Sequence, residues 1–331
     1  MRNIKLNFMP QIAGALACLL ALFTIASPVK AQSWPSKPIT IVVPYAPGGG
    51  TDITARLIGK RLSERLGQPV IVDNKPGANG MIGSAHVARG SAEGYTLLMG
   101  NPGPNAIGPI LAPNAGYNPA TDFQPVALLG TVPMLFCVNA SSPIKTLQEL
   151  ITAGKSEHPS INFGSAGNGS PSHLAIATLN QEAGTKFVFV PYRGSAPVAV
   201  ALLGNEIQAA LLAGPDAISH LKAGKIRAIA NMSIQRSPSF PDVPIPSEVG
   251  LAGMDVSIWY GILAPARTPK VIVERLHHEI TAILEEPEIK ARLQDLNITP
   301  VAASPSAFGA IIQGDVERYT KIIKAANIKL E

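Results

Sequence analysis

Aromatic residues make up only 5% of this 331-residue chain. That scarcity excludes the stacking platforms that hold single-stranded nucleic acid and the dense aromatic grooves that hold sugars. Cysteine is almost missing, with Cys18 and Cys137 the two present, so no disulfide framework staples the fold. Enzyme signatures are missing too. There is no GxxxxGK[ST] phosphate loop, and the order Gly167, Gly169, Ser172 breaks a GxGxxG fingerprint. Ser165, Ser170 and Ser195 lie outside any GxSxG elbow. His277-His278-Glu279 has no second histidine at HExxH spacing. The sequence therefore predicts no catalytic residue, no metal site and no cofactor. His277 and His278 read as solvated and Cys137 as core.

What the chain does have is 46% hydrophobic residues, the composition of a globular protein, and 30 Gly with 30 Pro, the composition of one rich in turns. Its length fits one large or two medium domains. The one apolar run of note is at the start. Arg2 and Lys5 precede an apolar stretch over 12–26, and Val29-Lys30-Ala31 puts small residues at −3 and −1. This is the anatomy of a Sec signal peptide, too short to span a membrane comfortably. Cleavage after Ala31 is expected, giving a periplasmic protein of 300 residues. Cys18 is followed by more apolar residues and is not expected to be a lipid acceptor. The leader holds three of the 27 basic residues, so the mature chain keeps 24 against 22 acidic ones, a net +2. The formal +5 is largely a targeting signal, and no basic patch suits a nucleic-acid backbone.

Beyond the leader, β-branched runs alternate with helical patterns. Strands are predicted at 39–43, 70–72, 95–99, 134–138, 161–163, 187–190, 207–212, 226–230 and 257–263. Helices are predicted from Thr51 to Leu66 and over 84–89, 146–153, 173–182, 196–203, 215–222, 270–285, 287–296 and 305–327. The βαβα rhythm predicts open parallel sheets wrapped by helices, in two α/β units.

Two strand–loop–helix junctions stand out: Pro44-Tyr45-Ala46-Pro47-Gly48-Gly49-Gly50-Thr51-Asp52 and Gly164-Ser165-Ala166-Gly167-Asn168-Gly169-Ser170-Pro171-Ser172-His173. Each places glycines at a strand's C-terminal end and a helix's N-terminus, where unpaired N–H groups and the helix dipole favour an anion. Either loop alone is equally well an ordinary capped turn. Two in one chain point to a cleft that holds an anion with neutral donors. Individual residues keep two readings. Asp52 either complements its helix dipole or touches the ligand. His173 either makes a local hydrogen bond or joins the site. Tyr192 either reaches the cleft or is a half-buried aromatic. Arg193 faces either the anion or solvent.

The segments WPSKPITIVVPYAPGGGTDITAR (34–56), NKPGANGMIG (74–83), GYTLL (94–98), FGSAGNGSPSHL (163–174), VPYRGSAP (190–197), HLKAGKIRAIA (220–230) and WYGILAPARTP (259–269) resemble the Bug/TctC family. These are extracytoplasmic solute-binding receptors of tripartite tricarboxylate transporters. The resemblance spans essentially the whole mature chain. It implies a type II periplasmic-binding-protein fold, two α/β domains around a ligand cleft. It also implies a small carboxylate ligand and delivery to one large and one small integral membrane subunit, with the receptor itself a monomer. The corresponding domains are 32–133 with 256–331, and 134–255. The candidate ligand contacts are Tyr45, Pro47, Gly48, Gly49, Asp52, Asn105, Gly164, Ser165, Asn168, Gly169, Ser170, His173, Tyr192 and Gly194.

Two stretches depart from the family pattern. Leu211-Leu212-Ala213 stands where relatives have Phe-Asp-Asn, with Asp216 nearby but not at the matching position. Pro104-Asn105-Ala106-Ile107-Gly108-Pro109 replaces Thr-His-Ala-Ile-Asn-Pro. Both are expected on the far side of the cleft. A sensor that signals to a membrane partner shares the same binding chemistry. An exported hydrolase needs a base aligned on a loop serine, for which His173 is the nearby candidate.

Overall fold

The computed structural model describes residues 34–156, 161–233, 236–251, 254–325 and 327–329. The expected leader and its cleavage point lie outside the described residues. The chain from Lys37 on forms one contact unit, and it carries two sheets.

The first part runs β1 (Ile39–Val43), α1 (Gly50–Leu66), β2 (Val70–Asn74), a short turn of helix at Ala78–Gly80, α2 (Met81–Ala88) and β3 (Thr96–Gly100). A wide helical turn at Gly103–Ile107 leads into α3 (Gly108–Leu111), and β4 (Phe123–Val132) follows. The middle runs β5 (Met134–Asn139), α4 (Leu147–Gly154), β6 (Asn162–Ser165), α5 (Pro171–Glu182), β7 (Val188–Pro191), α6 (Ser195–Leu203), β8 (Ala209–Ala213), α7 (Gly214–Lys222) and β9 (Ile226–Asn231). The last part is β10 (Ile258–Pro265), α8 (Lys270–Glu285), α9 (Pro287–Asp295), the short β11 (Thr299–Pro300) and α10 (Pro305–Ala325).

The sheet orders are β11-β4-β10-β3-β1-β2 and β7-β6-β8-β5-β9. β10 therefore returns to the first sheet, between β3 and β4. The sheets are mixed, which corrects the all-parallel expectation. β1 pairs parallel with β2 and β3, and β6 with β7 and β8. β10 runs antiparallel to β3 and β4, and β5 antiparallel to β8 and β9. Parallel neighbours need a crossover helix. β5 and β10 instead enter each sheet from the other one, β5 with only Pro133 separating it from β4.

The sequence reading missed β4, the longest strand. Pro125 and Gly130 interrupt its apolar run, and a proline normally argues against an interior strand. Here Pro125 faces Leu263 where the β4–β10 register shifts, an irregularity that spares the missing N–H. Continuous β-branched β1 is buried along nearly its whole length, as a central strand should be. Behind the first sheet, Phe308 of α10 is fully buried and meets Trp259 edge-on, with centroids 5.0 Å apart. Truncating such a ring costs about 3–5 kcal/mol. A second core joins Leu135, Cys137, Leu202 and Leu212. Cys137 is fully buried, and that burial pushes its thiol far up, so it behaves as core. A third cluster brings Ala106 and Ile107 against Leu174 of α5 and Tyr319 and Ile323 of α10.

His277 corrects another expectation. α8 packs on β4, so the ring is half-buried and its Nδ1 lies 2.9 Å from the Val126 carbonyl oxygen. His278 is exposed.

Candidate functional site

Four helices begin at one place. α1 follows β1, α5 follows β6, α6 follows β7 and α7 follows β8, so each starts beyond the C-terminal end of a parallel strand. Their first turns contribute Gly50 and Thr51, Pro171 and Ser172, Ser195 and Ala196, and Asp216 to the wall of a narrow cavity of about 40 Å³. The α1 residues come from the first sheet's side and the others from the second's. Each N-terminus offers unpaired N–H groups and roughly half a positive charge. Four together form a strongly anion-attracting point without a cation.

The remaining wall is mostly neutral. The Tyr45 hydroxyl donates to Asn101 Oδ1 at 3.1 Å, and that oxygen also accepts the Gly103 N–H at 2.9 Å. Burial pushes the Tyr45 phenol up, more than the Asn101 bond lowers it, so the ring stays a neutral donor. Tyr45, Asn79 and Ala166 are shared with an outer cavity of about 350 Å³, lined also by Asn168, Tyr192 and Arg193. Asn79 is buried and its Nδ2 has no hydrogen-bond partner.

Three serines form the floor under α5. Ser165 Oγ and Ser170 Oγ are 2.9 Å apart, Ser170 and Ser172 are 2.9 Å apart, and Ser172 closes back on Ser165 at 3.1 Å. Ser170 also caps α5, accepting the His173 N–H at 3.2 Å. Ser172 Oγ accepts the Ala166 N–H at 3.1 Å. These hydroxyls fix the loop shape, and Ser170 and Ser172 also reach the inner wall.

The predicted contacts therefore separate. Tyr45, Gly49, Ser170 and Gly194 line the inner cavity, and Asn168 and Tyr192 the outer one. Pro47 and Gly48 are exposed on the rim. Gly164 packs within β6 against Val198 and Ile207, and Ser165 and Gly169 lie beneath the loop. Asn105 is buried behind Asn101 and accepts its N–H at 3.2 Å. His173 Nδ1 accepts the Gly169 N–H at 3.1 Å, and its ring packs on Phe189 at 4.2 Å. Asp52 stands behind the first loop, bound to Arg56, Asn74 and the Gly48 N–H. Arg193 is exposed at the mouth of the outer cavity.

Sequence reasoning missed Asn79, Asn101, Ser195 and Tyr260 as wall residues; Thr51 falls inside the first junction, and Asp216 beside the stretch expected on the far side of the cleft. A usable signal was present for some of them. Asn79 lies in the second glycine-rich loop, Asn101 follows β3 directly, and Ser195 falls in a first helical turn. Asp216 is the sole charged side chain on the inner wall among the described residues. The Gly50 N–H donates to its Oδ1 at 2.7 Å. Burial raises its carboxyl to about 6, against the opposing pull of the Gly50 N–H and Ser195. Among the described residues no group of three or more His, Cys, Asp or Glu is placed to hold a metal ion. No described helix is long and apolar enough to cross a membrane.

Two α/β lobes, with helix N-termini from both facing one cleft, define a solute-binding protein of the type II periplasmic-binding-protein fold. The chain belongs to the Tripartite tricarboxylate transporter family receptor family, TctC, which it matches over residues 54–328. It is 32% identical to the protein BugT of Bordetella pertussis, over 98% of this chain and 99% of BugT. Among solved structures, an R. palustris protein with adipate superposes with a TM-score of 0.86 at 33% identity, covering 89% of this chain and 99% of that one. MatC of Rhodopseudomonas palustris with bound malate gives a TM-score of 0.84 at 32% identity, covering 88% and 100%.

Proposed function

We propose that the protein is an exported, monomeric receptor of the periplasm that captures a small di- or tricarboxylate, or a related organic acid. It then hands that acid to the large and small membrane subunits of a tripartite tricarboxylate transporter. The observation that carries this reading is the convergence of four helix N-termini on a cavity whose other wall residues, apart from Asp216, are neutral. Such a site holds a carboxylate through N–H and O–H groups and needs neither metal nor cofactor. The adipate and malate bound by structural neighbours are the same class of molecule.

The lobes are taken as 32–133 with 256–331, and 134–255. The two crossings, at Pro133 and between β9 and β10, then act as the hinge. Ligand enters through the outer cavity, where Arg193 meets a distal anionic group, and closure seats the proximal carboxylate on the inner wall. The serine hydroxyls serve as scaffold and donors, not as nucleophiles.

A thermal-shift screen of mono-, di- and tricarboxylates and aromatic acids, with and without chelator, tests the reading. A ligand at a hundred times its Kd adds about 2.7 kcal/mol, a rise of several degrees for a protein of this size. A shift by sugars or cationic amines and by no acid would overturn it. So would hydrolysis of a supplied ester that Ser170→Ala abolishes.

A further inference from the structure

We propose that Asp216 makes the inner cavity select acids that carry a hydroxyl or ammonium group beside the carboxylate, over plain carboxylates. The inference rests on the carboxylate-receptor reading and names the class of acid within it. Asp216 is 8% exposed and lines the cavity. Its Oδ1 already holds the Gly50 N–H, one of the donors that an incoming anion would otherwise use. A Cβ at Gly49 would lie 3.4 Å from the same oxygen, so the carboxylate sits against the glycine loop itself.

Among the described residues no cation balances it from any element that lines the cavity. α1 presents Gly50 and Thr51, β10 presents the Tyr260 phenol, α6 presents Ser195 and Ala196, and the β1–α1 loop presents Tyr45. Burial, and then the charge of Asp216, push the Tyr260 phenol well up, so it too is neutral. Asp52, the carboxylate of the first turn of α1, is not on the wall and is held by Arg56 and Asn74.

A plain carboxylate entering here meets a second carboxylate in a site of low dielectric, and two like charges cannot both stay ionised cheaply. There are two ways out. The ligand can bring a donor, so that its hydroxyl or ammonium hydrogen-bonds Asp216 while its carboxylate takes the helix N-termini. Otherwise a proton must be taken up with the ligand. The carboxyl's rise to about 6 through burial fits the second route at acid pH. Below that value Asp216 keeps its proton and can itself donate. Above it, plain acids weaken by up to about tenfold for each pH step.

Isothermal titration of the exported protein tests this with succinate, malate and aspartate, and with adipate and 2-aminoadipate, between pH 5.5 and 8. Asp216→Asn and Asp216→Ser are measured alongside, which also accounts for the ligands' own titration. At pH 8 the hydroxy or amino acid of a set should bind wild type at least tenfold tighter than its plain counterpart, and the gap should narrow towards pH 5.5. In Asp216→Asn the gap should largely close and plain-acid affinity should lose its pH dependence. Equal affinities for plain and substituted acids in wild type at pH 8 would overturn the role of Asp216 and leave the receptor reading standing. Absence of binding by all five acids, in wild type and both variants, would remove both readings.

Discussion

Asn74 Nδ2 donates to Asp52 Oδ1 at 3.0 Å and to the Tyr45 carbonyl at 3.1 Å, so a residue at the end of β2 holds both ends of the glycine-rich loop between β1 and α1. Asp52 completes the brace, accepting the Gly48 N–H at 3.0 Å and pairing with Arg56 at 2.9 Å. Burial raises its carboxyl, but the Arg56 guanidinium, the Gly48 N–H and the Asn74 amide outweigh that and hold it below its ordinary 3.8. Its contribution to stability is therefore full above 3.8 and is lost as pH falls through the lower folded value. Asp52→Ala should cost about 1 kcal/mol at pH 7, because it removes hydrogen bonds from three partly exposed donors, Gly48, Arg56 and Asn74. The deficit should shrink below 3.8, a trend that denaturant melts at several pH values will test.

Gly50 at the start of α1 packs closely against α7 and β10. A Cβ there would stand 2.8 Å from Pro215 Cβ and 2.8 Å from the Tyr260 hydroxyl, inside the separation side chains tolerate. At Gly49 the nearest atom would be at 3.4 Å, the Asp216 oxygen. Gly50→Val should hold the lobes apart and abolish ligand-induced compaction in small-angle scattering, with circular dichroism unchanged. Gly49→Ala should keep most of the response. A compacting Gly50→Val protein would show that the contact does not limit closure.

Ser170→Ala removes the cap of α5 and one member of the serine triangle. Loss of a serine cap costs about 0.5–2 kcal/mol. The lost donor at the inner wall should cut ligand affinity by roughly tenfold. A melting shift with intact affinity would confine Ser170 to the scaffold.

The pH dependence of stability should also report Asp216. Its carboxyl is raised to about 6 from an ordinary 3.8, so its contribution is fully present below 3.8 and is lost as pH rises through 6. Asp216→Asn should therefore gain about 1–3 kcal/mol relative to wild type between pH 4 and pH 8. A constant difference across that range would mean that Asp216 titrates normally.

Arg193 is exposed, so its pull on a distal carboxylate is screened. Arg193→Ala should weaken a dicarboxylate by roughly threefold to tenfold at low salt and by less at high salt, as read by titration calorimetry. It should leave a monocarboxylate unaffected.

Local patterns set most of this molecule. The β-branched run of β1, the capped start of α5 and the glycine-rich junctions mark strands, helices and two anion-favouring turns, because backbone sterics and orphan N–H groups act within a few residues. β4 was hidden because Pro125 and Gly130 break its pattern, and only the register shift against β10 in three dimensions makes the proline harmless. Sheet direction was hidden as well, since it depends on which sheet the chain has just left. The site divides in the same way. Tyr45, Gly49 and Ser170 were legible from their own junctions, whereas Asp52 and His173 turned out to brace those junctions from behind. Asp216 is legible only as a neighbour of the far side of the cleft, because nothing within its helix shows that its partner lies 166 residues away, at Gly50. The sequence by itself determined where two anion-favouring turns form. Tertiary structure alone decided that four helix N-termini meet and that a buried carboxylate stands among them, because burial and long-range approach are properties of packing.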